Sequence, residues 1–471
     1  MKIKHKAKNY LCIKKLLVNS FNKVKNGMKN YFNNFKNGDI YYKLSYIFMG
    51  VSDIKNKQLH RGLFYLLSQI IYWVFMGVTG IKNLLLFSTL GKHLSEEVWD
   101  EELGVYVQTL GDNSLLILLF SIISIVFTII IFSLYINSLN NAKLNNERRL
   151  KGLKPKTFKE EVNEFSDSKF HITITAIPIS TITIFVIIPL IFMIFVAFTN
   201  YNYVNQPPGN LFTWVGFENF GNLFSKSSSL TKTFISLFIW TMVWAVCATF
   251  FNYILGMLLA IIISKKDIKL KPFWRTIFVL TIAIPQFISL LIMSRLLSNS
   301  GALNQIIELF GGTPIKFLED HAKITIIIVN LWVGIPFTML STMGILMNIP
   351  KDLYEASRID GATVFQQFRK ITLPYMNFIM TPYLITTFIG NINNFNVIYL
   401  LTGGGPYNLD FYGSAGDTDL LITWLFKITT STNFDYGLAS TIGIVIFTIT
   451  ATFSLIAFNK SKAMKNEGEF R

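Results

Sequence analysis

The chain has 471 residues, 51% of them hydrophobic, with 43 Phe and only 15% charged side chains. Its mean hydropathy of +0.44 and its shortage of charge, against the roughly 25% usual in soluble domains, exclude an ordinary soluble enzyme and point to a polytopic membrane protein, in which each span takes roughly 20 mostly apolar residues. The net charge of +16 does not signal nucleic acid, because the Lys and Arg residues lie in loops between apolar runs and form no basic stripe on a soluble module.

The first 60 residues hold 13 Lys against Asp39 and Asp53 only. Residues 1–20 read as disordered. Residues 41–60 read as an interfacial helix on the anionic inner leaflet, with a disordered basic tail as the alternative. This start is too long and polar for a secretory signal. Cys12 lies in the arm and Cys247 in an apolar run, so no disulfide is expected.

Eight spans follow, near 63–81, 115–136, 172–198, 234–263, 276–297, 324–347, 376–400 and 437–458. Basic residues crowd 140–170, 265–275 (Lys265, Lys266, Lys269, Lys271, Arg275) and the tail (Lys460, Lys462, Lys465, Arg471), whereas 82–114 carries Glu96, Glu97, Asp100, Glu101, Glu102 and Asp112. By the positive-inside rule the basic loops, the arm and 349–375 are cytoplasmic, the acidic segment is external, and both termini are cytoplasmic. The expected organisation is an arm (1–62), two leading spans (63–139), a cytoplasmic loop (140–170), a six-span core (171–459) and a tail (460–471). None of the eight spans as drawn contains Asp or Glu, which argues against a proton-driven symporter. Arg295 sits at the outer end of the fifth, within reach of water.

Three motifs carry the functional reading. Residues 354–374 read YEASRIDGATVFQQFRKITLP. They predict two short helices broken at Asp360-Gly361, with Leu353, Ala356, Ala362, Phe365 and Phe368 as an apolar stripe and Pro374 ending the second helix. The bland alternative is an ordinary amphipathic loop. Residues 391–406 read NINNFNVIYLLTGGGP. Four Asn in an apolar helix must face protein or a cavity, and amides suit sugar hydroxyls. Asn391 and Asn394, three apart, share a helix face with Thr387 and Gly390 close by; polar bonding between helices is the alternative. Asn393 and Asn396 lie off that face and read as structural. Gly403-Gly404-Gly405-Pro406 reads as an external turn, because no Lys-Ser/Thr follows it. Residues 329–337, VNLWVGIPF, place Asn330, Gly334 and Phe337 near one face, with Gly334 and Pro336 expected to interrupt the helix beside a cavity. Phe337 offers a face for a sugar ring; a structural kink is the alternative. No acid–base pair, metal cluster or Walker pattern supports catalysis, so any ATPase must be another chain.

The 354–374 stretch resembles the EAA loop of ATP-binding-cassette importer permeases, E-A-A-x(3)-G-x(9)-I-x-L-P, with Glu355, Ala356, Gly361, Ile371, Leu373 and Pro374 in place and Ser357 standing for the second Ala. Over roughly 170–460, the stretches LTIAIPQFISLLI (280–292), VNLWVGIP (329–336), DLYEASRIDGA (352–362), NNFNVIYLLTGGGP (393–406) and GDTDLLITWLFKI (416–428) resemble the larger permease subunits of maltose/maltodextrin importers, especially those of Gram-positive bacteria. The resemblance implies an all-α membrane protein of eight spans with a six-helix importer-permease core. It implies a non-catalytic subunit in the cell membrane, pairing with a second homologous permease and two copies of an ATPase that binds ATP and Mg, while an extracellular sugar-binding protein delivers the oligosaccharide. This chain itself would need no cofactor.

By the same resemblance, Glu355, Ala356, Ser357, Asp360 and Gly361 contact the ATPase. Asn330, Val333, Gly334 and Phe337 in the sixth span, with Thr387, Gly390, Asn391 and Asn394 in the seventh, contact sugar. Phe337 stands where the enteric relative has Tyr, and Gly390 where it has Phe, a wider pocket that favours a longer oligosaccharide. The external segment 200–230 is too short for the folded domain of that relative. The expected substrate is a maltodextrin, with galacto-oligosaccharide as the alternative. Rival classes are a secondary transporter or channel, for which 352–374 would be dispensable, and a membrane enzyme.

Overall fold

The computed structural model describes Phe35 and residues 38–101, 104–225, 228–265 and 268–460. The disorder expected for 1–20, Cys12, Lys266 and the basic tail beyond Lys460 lie outside the described residues. Two compact units form, one running to Met193 with Pro207–Leu211, the other comprising Ile194–Gln206 and the chain from Phe212 onward.

The first unit contains α1 (Ile40–Leu44), α2 (Val51–Lys55), α3 (Leu59–Leu86), a hairpin of β1 (Glu97–Asp100) and β2 (Val105–Gln108), α4 (Ser114–Leu150), α5 (Phe158–Ser166) and the start of α6 (Phe170–Val196). The single interfacial helix expected at 41–60 is replaced by α1, α2 and the first turn of α3. The cause is a buried carboxylate. Asp53 is fully buried and receives Arg61 Nη2 at 2.7 Å, Arg61 Nε at 3.2 Å and Asn145 Nδ2 of α4 at 2.9 Å. Burial pushes the Asp53 carboxyl up, and the Arg61 guanidinium opposes it. The same guanidinium donates through Nη1 to Glu161 of α5 at 2.7 Å, where His60 Nε2 also lies 2.7 Å away. A charge of this kind is held only where its partners converge, so the segment docks on α3, α4 and α5. Nearby, Lys156 and Lys169 bond Glu164 and hold its carboxyl down at about 2.

The first part of the loop expected at 140–170 is helical, because α4 continues to Leu150. At 1.5 Å per residue its 37 residues reach about 55 Å, well beyond a bilayer's hydrocarbon core. The acidic segment 82–114 also carries structure the sequence reading missed. Val98 pairs with Val107 and Trp99 with Tyr106 across an antiparallel ladder, and those two rings meet edge-to-face at 5.1 Å. The β-branched and aromatic residues Val98-Trp99 and Val105-Tyr106-Val107 on either side of Gly104 are the signal.

In the second unit, α7 (Glu218–Leu223) precedes α8 (Ser229–Ser264). Then come α9 (Lys271–Ala283), α10 (Gln286–Leu296), α11 (Ala302–Leu309), α12 (Ala322–Leu346), α13 (Lys351–Ile359), α14 (Val364–Ile392), α15 (Phe395–Leu401), α16 (Leu421–Thr430) and α17 (Tyr436–Lys460). Across the described residues, six helices are long and apolar enough to cross a membrane, and the bent pairs α9/α10 and α14/α15 make eight when each pair is counted as one span. The fifth span is not straight: α9 and α10 meet at 89°. Pro285 lacks an N–H and forces Ile284 out of helical conformation, to φ −80°, ψ 124°. The sixth span is continuous instead; Gly334 and Pro336 do not interrupt α12. Pro374 does not end a helix either. The π-helical turn Phe368–Thr372 just before it widens the backbone where the proline ring would crowd the carbonyl four residues earlier, and α14 runs through. Trp244 and Trp424, both fully buried, anchor the apolar core.

Replacing Arg61 with Met leaves Asp53 and Glu161 buried without their shared cation. Thermal unfolding of the solubilised chain should register a loss of about 3–5 kcal/mol, and adding Asp53→Asn with Glu161→Gln should recover much of it.

Candidate substrate cavity and surface loop

α12 supplies one wall of a cavity of about 460 Å³ through Asn330, Val333, Gly334 and Phe337, and α14 supplies another through Thr387 and Asn391, with Asn394 at the α14/α15 break. Seven of the eight sugar-site candidates thus meet around one space. Gly390 does not join them: it is exposed, and a Cβ there would meet nothing within 4 Å.

The shared helix face proposed for Asn391 and Asn394 takes a different form. α14 stops at Ile392, and Asn394 caps α15, accepting from the Val397 N–H at 3.3 Å. Its Nδ2 still donates to Asn391 Oδ1 at 3.4 Å, and Asn391 Nδ2 donates to Thr249 Oγ1 of α8 at 3.0 Å. These amides both line the cavity and bond across helices. Asn393 is exposed and donates to its own helix at Ile389 O.

Sequence reasoning missed a third wall. Thr249, Asn252 and Tyr253 of α8 line the cavity, as do Thr281, Gln286 and Ser289 around the Pro285 break. Two backbone irregularities hid them. A π-helical turn, Cys247–Phe251, shifts the phase of α8 in front of Asn252, and the 89° bend turns residues from both halves of the fifth span toward one point. Asn252 was the available signal, an amide inside an apolar run.

Gly334 meets the Asn252 side chain closely. A Cβ there would lie 2.6 Å from Asn252 Nδ2 and 2.7 Å from its Oδ1, so the Asn252 amide rests on the bare backbone of α12. Trp332, Phe337 and Tyr383 add aromatic rings, and among the described residues no charged side chain lines the cavity. Amides, hydroxyls and rings without charge can recognise a neutral polyhydroxylated solute. They offer nothing to neutralise an ion, and no groups of three or more His, Cys, Asp or Glu able to hold a metal occur among the described residues.

The 354–374 stretch folds as α13, a turn and the start of α14. The turn is a Schellman cap: Ala362 N–H donates to Ser357 O at 2.9 Å and Gly361 N–H to Arg358 O at 3.0 Å. Gly361 takes φ +78°, a left-handed conformation that favours glycine. Thr363 and Gln366 form a capping box that starts α14. Ser357 does more than replace Ala. Its Oγ accepts from Gln367 Nε2 at 2.8 Å and donates to Tyr354 O at 2.9 Å, while Tyr354 Oη meets Thr372 Oγ1 at 2.8 Å. α13 is therefore bolted to the base of α14. Glu355, Ala356, Asp360 and Gly361 are exposed, as are the apolar side chains of Leu353, Ile359, Val364 and Phe365. Exposed apolar side chains on a polar, charged loop offer a surface for a partner.

Gly334→Val should push α8 off α12 and destabilise the solubilised chain by about 1–3 kcal/mol. Combining it with Asn252→Ala should cost less than the sum of the two single changes in a double-mutant thermal-unfolding cycle.

A family model described as binding-protein-dependent transport system inner membrane component matches residues 252–461. The galactooligosaccharides transport system permease protein of Bacillus subtilis is 34% identical over 430 residues, covering 89% of this chain and 97% of that protein. The maltodextrin transport system permease protein of the same organism is 35% identical over 432 residues, covering 89% and 95%. Among solved structures, a bacterial alginate ABC transporter in complex with alginate pentasaccharide-bound periplasmic protein shares the fold, with a TM-score of 0.52 at 21% identity over 64% of this chain and 98% of that chain.

Proposed function

Because the chain belongs to the family of binding-protein-dependent transport system inner membrane components, the permease subunits of sugar-importing ABC transporters, we propose that it carries a neutral oligosaccharide across the membrane through the cavity between α8, α10, α12 and α14. The chain is a multi-pass membrane subunit and not an enzyme. The observation that carries the proposal is the lining itself: amides, hydroxyls and aromatic rings with no charge. Asn330, Val333, Gly334, Phe337, Thr387, Asn391 and Asn394 are its proposed sugar contacts. Maltodextrin is the first reading. Galacto-oligosaccharide is the second, supported by a 34%-identical relative of nearly equal length.

Permeases of this family work with a second permease, an ATPase and a binding protein. Here two ATPase copies are proposed, holding ATP and Mg. Glu355, Ala356, Ser357, Asp360 and Gly361 meet one of them on the exposed α13 surface, which supports that reading by its apolar rim and rigid attachment to α14. Both termini are proposed to be cytoplasmic. ATP binding draws the ATPases together and moves α13, and α14 transmits the displacement to Thr387 and Asn391. The coupling requires contacts that differ between the two states.

Uptake in reconstituted vesicles tests this. The full transporter should take up maltotriose or galactotriose and ignore an acidic trisaccharide; preference for the acidic sugar would overturn the reading. Glu355→Lys with Gly361→Leu should abolish uptake while the chain still inserts, because both the contact and the cap are lost. Normal uptake in that variant would remove the coupling role.

A further inference from the structure

Two buried polar atoms on facing walls of the cavity have no partner among the described residues: Asn252 Oδ1 on α8 and Asn330 Nδ2 on α12. Asn252 is 9% exposed and Asn330 6%, and both line the cavity. The orientation of Asn252 is fixed by its own helix. Nδ2 donates to Ala248 O at 2.7 Å, and a carbonyl accepts only from the NH2 side of the amide, so Oδ1 is the end left free. This bond stays within α8. Asn252 therefore does not tie α8 to α12, although its amide rests against Gly334, and a role as interhelical glue leaves its oxygen unexplained. Leaving a buried acceptor unmade is costly, as is leaving a buried donor unmade.

We propose that Asn252 is a selectivity residue of the cavity, its Oδ1 accepting a hydrogen bond from a saccharide hydroxyl, beside Asn330 Nδ2, which donates one. The proposal rests on the oligosaccharide reading above and extends it to a residue on α8. A hydroxyl both donates and accepts, so polyhydroxylated solutes satisfy both free atoms. A carboxylate would satisfy only Asn330 and an ammonium only Asn252. The π-helical turn Cys247–Phe251 precedes Asn252 directly, and glycine at 334 leaves room for its amide. A site built to hydrogen-bond a hydroxyl rejects the analogue that lacks it far more strongly than an apolar pocket rejects a missing methylene.

The experiment uses the assembled transporter in vesicles, with maltotriose or galactotriose, whichever the wild type takes, and the full set of its monodeoxy derivatives. The wild type should discriminate against at least one derivative by about tenfold or more. Asn252→Leu should lower uptake of the parent sugar at limiting concentration by about tenfold and take up that derivative nearly as well as the parent. Should the Leu variant fail to assemble, Asn252→Thr serves: its hydroxyl can bond back to Ala248 O, as Thr241 does to Leu237 O at 2.6 Å and Thr338 to Gly334 O at 3.2 Å. Held against Ala248 O and attached one bond nearer the backbone than Asn252 Oδ1, that hydroxyl falls short of the sugar, and the Thr variant should likewise lose the discrimination. An assembled Leu or Thr variant that keeps wild-type discrimination overturns the proposal, as does a wild type indifferent to every deoxy derivative. A wild-type transporter that moves no oligosaccharide overturns the functional reading itself, and this inference with it.

Discussion

α8 and α12 approach closely at two glycines: a Cβ on Gly256 of α8 would lie 2.8 Å from Thr338 Cβ and 3.0 Å from Met339 N of α12, and one on Gly334 of α12 would lie 2.6 Å from Asn252 Nδ2 of α8. This approach rests the Asn252 amide on α12, the helix that also carries Asn330, while the bond from Asn252 Nδ2 to Ala248 O leaves Oδ1 as the free end. The other walls are positioned relative to it. Asn391 reaches Thr249 across to α8, and the 89° bend at Pro285 brings Gln286 and Ser289 to the same space. Spans that are apolar almost throughout thus enclose an interior where uncharged amides and hydroxyls sit among apolar and aromatic side chains.

The loop and the cavity share one helix. α14 begins three residues after Gly361 of the Schellman cap, passes through its π-helical turn, and carries Thr387 and Asn391 near its far end. Ser357, Tyr354, Gln367 and Thr372 bond α13 to its base. Under the proposed coupling role, a push on α13 would act on α14 through these bonds. The polar lock of Asp53, Arg61 and Glu161 does comparable work inside the first unit, where it turns a basic, partly apolar segment into docked structure.

Much of this was legible in the sequence, for physical reasons. Apolar runs long enough to span a bilayer stand out against charged loops, and the Asp360-Gly361 break follows from the conformational needs of a helix end. Asn330, Gly334 and Phe337 were placed by helical spacing, which held because α12 is regular despite Pro336. The same spacing misjudged Asn394, because α14 ends before it, and missed Thr249 and Asn252, because a π-helical turn resets the phase of α8. Pro285 announced its bend, but in an apolar run a bend and a tolerated proline look alike. Ser357 passed for a small-residue substitution, since its partner Gln367 lies ten residues on and only the folded turn brings them together.

Cryo-electron microscopy of the assembled transporter, held with saturating oligosaccharide, would locate the solute itself. Sugar density against Asn330, Phe337, Thr387 and Asn391, with a hydroxyl in reach of Asn252 Oδ1, is the expected result. An empty cavity with sugar bound elsewhere along the chain would contradict the account.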